Sequence, residues 1–83
     1  MGIADELIEN NRAYAAKYTP DRPLPPRRQL AIVSCMDSRI DVFDLLGLDV
    51  GDAHVMRNAG GVVTDDVIRS LIVSVELLGT MPV

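Results

Sequence analysis

The sequence is poor in the residues from which several kinds of protein are built. Its 83 residues include one cysteine, one histidine and no tryptophan. A single cysteine excludes an internal disulfide framework. No apolar run approaches the roughly 18 residues that cross a bilayer. The amino terminus opens with acids instead of the basic and then apolar order of a secretory signal. We therefore expect a cytoplasmic protein with no membrane partner.

Positive charge is also scarce. Eight basic residues face twelve acidic ones, which gives a formal net charge of -4. Nucleic-acid-binding domains usually carry a basic footprint, so we expect no nucleic-acid partner. The content of 48% hydrophobic and 24% charged residues is typical of a globular chain. A chain of this length buries only roughly 60% of its unfolded surface, so its stability is expected to be marginal.

The most informative stretch is residues 30–39. Its first part, LAIVSC, is short, apolar and rich in β-branched residues, which predicts a buried parallel strand. Cys35, Asp37 and Arg39 follow where that strand ends, and ligands of open α/β sheets bind at such ends. A thiolate can ligate zinc, a carboxylate can ligate metal or accept a hydrogen bond, and a guanidinium can hold that carboxylate in a bidentate pair.

Simpler interpretations of these three residues remain open from spacing alone. A cysteine at a strand end can be a small buried hydrophobe, and an Asp-x-Arg pair can be a loop salt bridge. A cysteine-phosphatase loop is excluded, because the sixth residue after Cys35 is Asp41, whose charge would repel phosphate.

Residues before the strand predict a helix and a spacer. Residues 4–18 have a thin amphipathic pattern, with Ile3, Leu7, Tyr14 and Tyr18 near one face. Such a helix needs a surface to dock on, either its own domain or a second subunit. Four prolines within residues 20–26 predict a stiff, extended spacer of about 20 Å.

Residues after the strand predict two more helices and a second strand. We expect Ser38 to cap a short helix over residues 40–46, with Val42, Leu45 and Leu46 facing the core. Residues 53–58 predict a strand parallel to the first, since a helix connects the two. A final helix is expected to begin at Thr64 and to end before Gly79, with apolar residues on nearly every side.

Two motifs together resemble the β-class carbonic anhydrases. One is Ser34-Cys35-Met36-Asp37-Ser38-Arg39, and the other, eighteen residues after Arg39, is Arg57-Asn58-Ala59-Gly60. The resemblance extends from about Leu30 to Gly79. It implies an α/β fold, namely the amino-terminal half of the parallel-sheet β-carbonic anhydrase fold. This half contains an amphipathic N-terminal helix and two parallel strands with crossover helices.

The resemblance also implies a function and a site. The family hydrates carbon dioxide reversibly to bicarbonate, with Zn²⁺ held by two cysteines and one histidine. Carried over, Cys35 is a zinc ligand, Asp37 is the acceptor that orients the metal-bound water or itself ligates zinc, and Arg39 is its catalytic partner. Asn58, Ala59 and Gly60 follow the second strand at the same sheet edge as Cys35, where they either line the substrate pocket or form only a tight strand-to-helix turn. The family implies a homodimer or larger oligomer.

One part of the family pattern is missing. The other two zinc ligands belong to a His-x-x-Cys motif on the family's next strand, which this sequence does not contain; His54 lies in the second strand instead. We therefore expect a truncated chain that alone binds zinc weakly and lacks hydratase activity. A non-catalytic anion-binding relative and an inactive fragment are the alternatives. We divide the chain into two parts. Residues 1–29 form the N-terminal helix and the proline-rich linker, and residues 30–83 form a partial α/β domain.

Overall fold

The computed structural model describes residues 2–81 and shows an α/β arrangement. In chain order the elements are helix α1 (Ile3–Lys17), strand β1 (Leu30–Cys35), helix α2 (Val42–Leu46), strand β2 (Ala53–Asn58), a 3-10 turn (Ala59–Gly61) and helix α3 (Asp65–Glu76). None of the helices in residues 2–81 has the length and apolar character needed to cross a membrane.

The two strands form a parallel pair, as predicted. Leu30 lies opposite Ala53, and Cys35 lies opposite Asn58 at the other end. Parallel strands in register end at the same edge of the sheet, so the segments that follow β1 and β2 lie side by side there. This edge positions every candidate site residue.

Helix α1 does not dock on the rest of the described chain. It begins at Ile3, with Asp5 and Glu6 in its first turn and Lys17 in its last, where these charges complement the helix dipole. None of its residues is buried, and Leu7 and Tyr14 are exposed. Docking on its own domain, one of the two expected alternatives, is therefore not found within residues 2–81.

Helix α2 is shorter than predicted, and it has a different cap. Asp41, not Ser38, is the N-cap, and its carboxylate accepts a hydrogen bond from the Asp44 amide at 3.0 Å. The expectation that Leu45 and Leu46 face the core is wrong: Leu45 is 72% exposed, and only Val42 of this helix is buried. A helix of five residues makes fewer than two turns, so it presents too little surface to bury a full apolar stripe.

Helix α3 begins where the sequence predicts. The Thr64 hydroxyl accepts a hydrogen bond from the Val67 amide at 3.3 Å, and the helix ends at Glu76, before Gly79. Val67 and Ser74 are buried, whereas Ile68 and Ile72 are exposed. One side of α3 thus contacts the sheet, and the apolar side chains on its other side have no cover within residues 2–81.

Candidate functional site

The site lies where the segment after β1 meets the turn after β2. The Met36 amide donates a hydrogen bond of 2.8 Å to the Asn58 carbonyl, which continues the strand pairing by one step. Residues 35–39 and 58–61 are therefore adjacent. The predicted site residues Cys35, Asp37 and Arg39 lie in the first of these segments, and Asn58, Ala59 and Gly60 lie in the second.

Cys35 is half-buried at the end of β1 with a free thiol. Hydrogen bonds from the backbone amides of Asp37 and Gly60 hold the pKa of this thiol below its ordinary value. Amide donors stabilise the thiolate more than the thiol, and the thiolate is the form that ligates a metal. Both segments of the site thus contribute to lowering the pKa of this thiol.

Asp37 and Arg39 form a bidentate pair. Arg39 Nε donates to Asp37 Oδ1 at 3.0 Å and Nη2 donates to Oδ2 at 2.6 Å, while the Arg39 amide donates to Oδ1 at 2.9 Å. The Arg39 guanidinium, and then its amide, lower the pKa of Asp37, and the carboxylate in turn raises the pKa of Arg39. Asp37 is therefore a fixed, ionised hydrogen-bond acceptor.

Arg57 has a role that the sequence motifs did not reveal. Its Nε donates to the Cys35 carbonyl at 2.9 Å, and its Nη2 donates to the Asp37 carbonyl at 2.8 Å. The motif marks Arg57 as a cation near the site, but these partners depend on the register of β1 and β2. No spacing signal within the sequence would have identified them.

Asn58 closes the turn that follows β2. Its Nδ2 donates to the Val62 carbonyl at 2.7 Å, and its Oδ1 accepts from the Val62 amide at 2.9 Å. Ala59 and Gly60 are exposed on this turn. Gly61 approaches β1 so closely that a Cβ atom there would lie 3.0 Å from the Cys35 nitrogen. The turn therefore requires glycine at position 61.

His54 lies away from this edge. It is opposite Ala31 in the strand register, and its Nδ1 lies 2.6 Å from the Ser74 hydroxyl of α3. Ser74 in turn lies 2.8 Å from the Thr80 hydroxyl. Among residues 2–81, no three His, Cys, Asp or Glu side chains are grouped to hold a metal ion. Cys35 and Asp37 have suitable donor atoms for zinc, but the described residues do not complete a zinc site.

Fold and site together define an α/β protein in which a thiol, a carboxylate and two guanidinium groups gather where two parallel strands end. The carbonic anhydrase family model matches residues 30–83. The chain belongs to the β-carbonic anhydrase family, of which it corresponds to the amino-terminal portion.

Individual relatives give the extent of the match. The chain is 54% identical over 80 residues to "Beta-carbonic anhydrase 1" of Mycobacterium tuberculosis, covering 96% of this chain and 49% of that protein. It is 42% identical over 76 residues to "Carbon disulfide hydrolase" of Saccharolobus solfataricus, covering 92% and 36%. A crystal structure of carbonic anhydrase from Streptococcus mutans matches with a TM-score of 0.86 and 54% identity, covering 96% and 49%. The chain thus spans about half the length of its carbonic anhydrase relatives.

Proposed function

We propose that the complete protein to which this chain belongs catalyses the zinc-dependent, reversible hydration of carbon dioxide to bicarbonate and a proton. The observation that carries the proposal is the bidentate Asp37–Arg39 pair just beyond Cys35 at the end of β1. Identity of 54% to a β-carbonic anhydrase supports the same reaction.

Zinc would be held in part by residues of this chain. Cys35 would be one ligand, and Asp37 lies close enough along the chain to ligate or to face the metal. The remaining donors would come from a His-x-x-Cys motif outside this sequence. When bound, zinc would lower the pKa of its water ligand to about 7, so that hydroxide would form near neutral pH.

The chain's own residues would orient and enclose the reactants. Asp37, kept ionised by Arg39, would accept a hydrogen bond from the attacking water and fix its direction toward carbon dioxide. Holding the water in a fixed orientation toward carbon dioxide would lower the entropic part of the activation barrier. Asn58, Ala59 and Gly60 would form the adjacent wall of the substrate pocket, since the Asn58 side chain holds that turn closed.

Hydrolysis of carbon disulfide is a second candidate, because several relatives carry the name carbon disulfide hydrolase at 42–51% identity. Carbon disulfide is also a small, linear, apolar molecule that water attacks at carbon. The higher identity to β-carbonic anhydrase 1 favours carbon dioxide as the substrate.

Three further proposals concern the whole protein. We propose a homodimer or larger oligomer, because α1 exposes its apolar residues and has no docking surface among residues 2–81. We propose a cytoplasmic location, based on the sequence pattern alone. We also keep the division into residues 1–29 and residues 30–83, since no helix or strand occupies residues 18–29.

The test compares Cys35→Ser with His54→Gln in the complete protein. We expect the unmodified protein to bind zinc and to hydrate carbon dioxide in a stopped-flow assay. Cys35→Ser should lose most of its zinc and roughly 100-fold or more of its activity. Changing a residue that only supports a metal ligand already costs about 10- to 100-fold in metal affinity or activity, and removing the ligand itself should cost at least as much. His54→Gln should keep its zinc, since His54 contacts Ser74 instead.

Metal analysis and a parallel carbon disulfide assay separate the alternatives. Faster turnover of carbon disulfide than of carbon dioxide would favour the second candidate. A protein without zinc or turnover would favour a non-catalytic relative or an inactive fragment. Retention of zinc and activity by Cys35→Ser would contradict the assignment of Cys35.

A further inference from the structure

The loop that follows β1 must hold two groups at a fixed separation. Cys35 is the last residue of the strand, whereas Asp37 lies beyond it, and neither helix nor strand includes residues 36–41. The Asp37–Arg39 pair and the hydrogen bond from the Ile40 amide to the Asp37 carbonyl at 3.0 Å are both internal to this loop. Such local bonds shape the loop but do not fix its position relative to the sheet.

Hydrogen bonds from the end of β2 supply that position. One joins the Met36 amide to the Asn58 carbonyl, and two come from the Arg57 guanidinium. Arg57 is the residue before Asn58 on the strand, so its backbone is fixed by the pairing with β1. From this rigid base its side chain reaches the carbonyls of residues 35 and 37 at once.

The two acceptors belong to the two residues that carry the proposed chemistry. Arg57 Nε binds the carbonyl of Cys35, and Arg57 Nη2 binds the carbonyl of Asp37, at 2.9 and 2.8 Å. A planar guanidinium presents its donors in a fixed fork, so the distance between those carbonyls is constrained as well as their position. Lysine, a single charged point on a flexible stem, cannot impose the same constraint.

We propose that Arg57 is a positioning residue, whose two-point contact with the Cys35 and Asp37 carbonyls sets the separation of the thiolate and the carboxylate at the zinc site. The inference rests on the proposed function, because it takes Cys35 as a ligand and Asp37 as the acceptor. Arg57 is exposed, so its bonds contribute more to the geometry of the loop than to the stability of the fold.

The experiment measures metal binding in the complete protein and three variants. Arg57→Ala removes both contacts, Arg57→Lys keeps the charge without the fork, and Arg12→Ala is the control, since Arg12 pairs with Glu9 on the exposed α1. Zinc affinity is measured by competition with a chromophoric chelator. The sulfur-to-metal charge-transfer band of the Co²⁺-substituted protein reports the cysteine–metal geometry, and thermal unfolding reports the fold.

We expect Arg57→Ala to weaken zinc binding about 10- to 100-fold, the usual effect of removing a residue that supports a ligand. Its charge-transfer band should shift, and added guanidinium ion should partly restore both properties. Arg57→Lys should also bind zinc more weakly than the unmodified protein. Arg12→Ala should match the unmodified protein in zinc affinity and in the charge-transfer band.

Each contrary result has a distinct meaning. A folded Arg57→Ala variant with unchanged zinc affinity and an unchanged band would overturn the inference while leaving the proposed function intact. If Arg57→Ala does not fold, the lysine variant decides, and normal zinc binding by Arg57→Lys would overturn the inference. An unmodified protein that binds no zinc would overturn the proposed function, and this inference with it.

Discussion

Two aspartates are each held ionised by nearby donors, with different consequences for the molecule. Asp37 is accessible to solvent, so its pairing with Arg39 leaves an ionised acceptor at the surface. Asp52 is 6% exposed, accepts a hydrogen bond from the Asp49 amide at 2.8 Å and pairs with Arg27 at 2.8 Å. Because Arg27 belongs to the linker, Asp52 fastens the linker to the start of β2.

The stability of the protein should depend on pH through Asp52. The Asp49 amide, followed by the charge of Arg27, holds the pKa of Asp52 below its ordinary value. A lowered pKa in the folded state means that the stabilisation is complete above the unfolded value of about 3.9 and is lost as the pH falls through the folded value.

Thermal unfolding of Asp52→Asn in the complete protein tests this dependence. At pH 7 the variant should unfold a few degrees lower than the unmodified protein, and the difference should shrink as the pH falls below about 4. Asp21→Asn, a change at an exposed linker carboxylate, is the control and should have little effect. A difference that stays constant down to low pH would show that the charge of Asp52 is not the cause.

Among the elements, the turn after β2 lies close against the end of β1. Gly61 has a positive φ of 62° and approaches the backbone of Ser34 and Cys35. Gly47, at the end of α2, has a similar φ of 66° but no atom within 4 Å of its would-be side chain. Both positions need a residue that adopts a positive φ. Only position 61 also lacks space for a side chain.

Replacing each glycine with alanine separates the two requirements. Both variants should lose about 1–2 kcal/mol, the cost of a left-handed backbone for an L-residue. Gly61→Ala should lose roughly 1–3 kcal/mol more, because its new methyl group must displace the end of β1. Urea unfolding of both variants of the complete protein measures this difference. Equal losses would mean that β1 moves aside without cost.

At the scale of the whole molecule, the described chain has a sparse core. Within residues 2–81 the buried apolar side chains are those of Val42, Val67 and Pro26, and sixteen large apolar residues are exposed. Burial of a full apolar side chain contributes about 1.5–3 kcal/mol, so these few side chains offset little of the entropy that folding removes.

The isolated 83-residue polypeptide should therefore be barely stable and inactive. We expect weak zinc binding and no measurable hydration of carbon dioxide, because catalytic zinc sites generally use three protein ligands. Circular dichroism with urea titration measures stability, metal analysis measures zinc, and stopped-flow hydration measures activity. Appreciable zinc-dependent turnover by this polypeptide would contradict the prediction.

The sequence by itself determined the strands, the capped helix α3 and the identity of the groups at the site. These features depend on local patterns: β-branched runs at β1, a threonine followed by acids at α3, and a Cys-x-Asp-x-Arg spacing whose Asp37–Arg39 pair closes within three residues. Local patterns are sufficient there because the interacting atoms are close neighbours in the chain.

Only the tertiary structure decided the remaining features. Three kinds of contact join residues that lie 20 or more positions apart. They are the hydrogen bonds of Arg57 to residues 35 and 37, the approach of Gly61 to β1, and the pairing of Asp52 with Arg27. The exposure of Leu45 was also decided by the tertiary structure, because the helical pattern predicted that this residue faces the core. Strand register and the amount of covering surface decide such contacts, and neither quantity is encoded in a local pattern of residues.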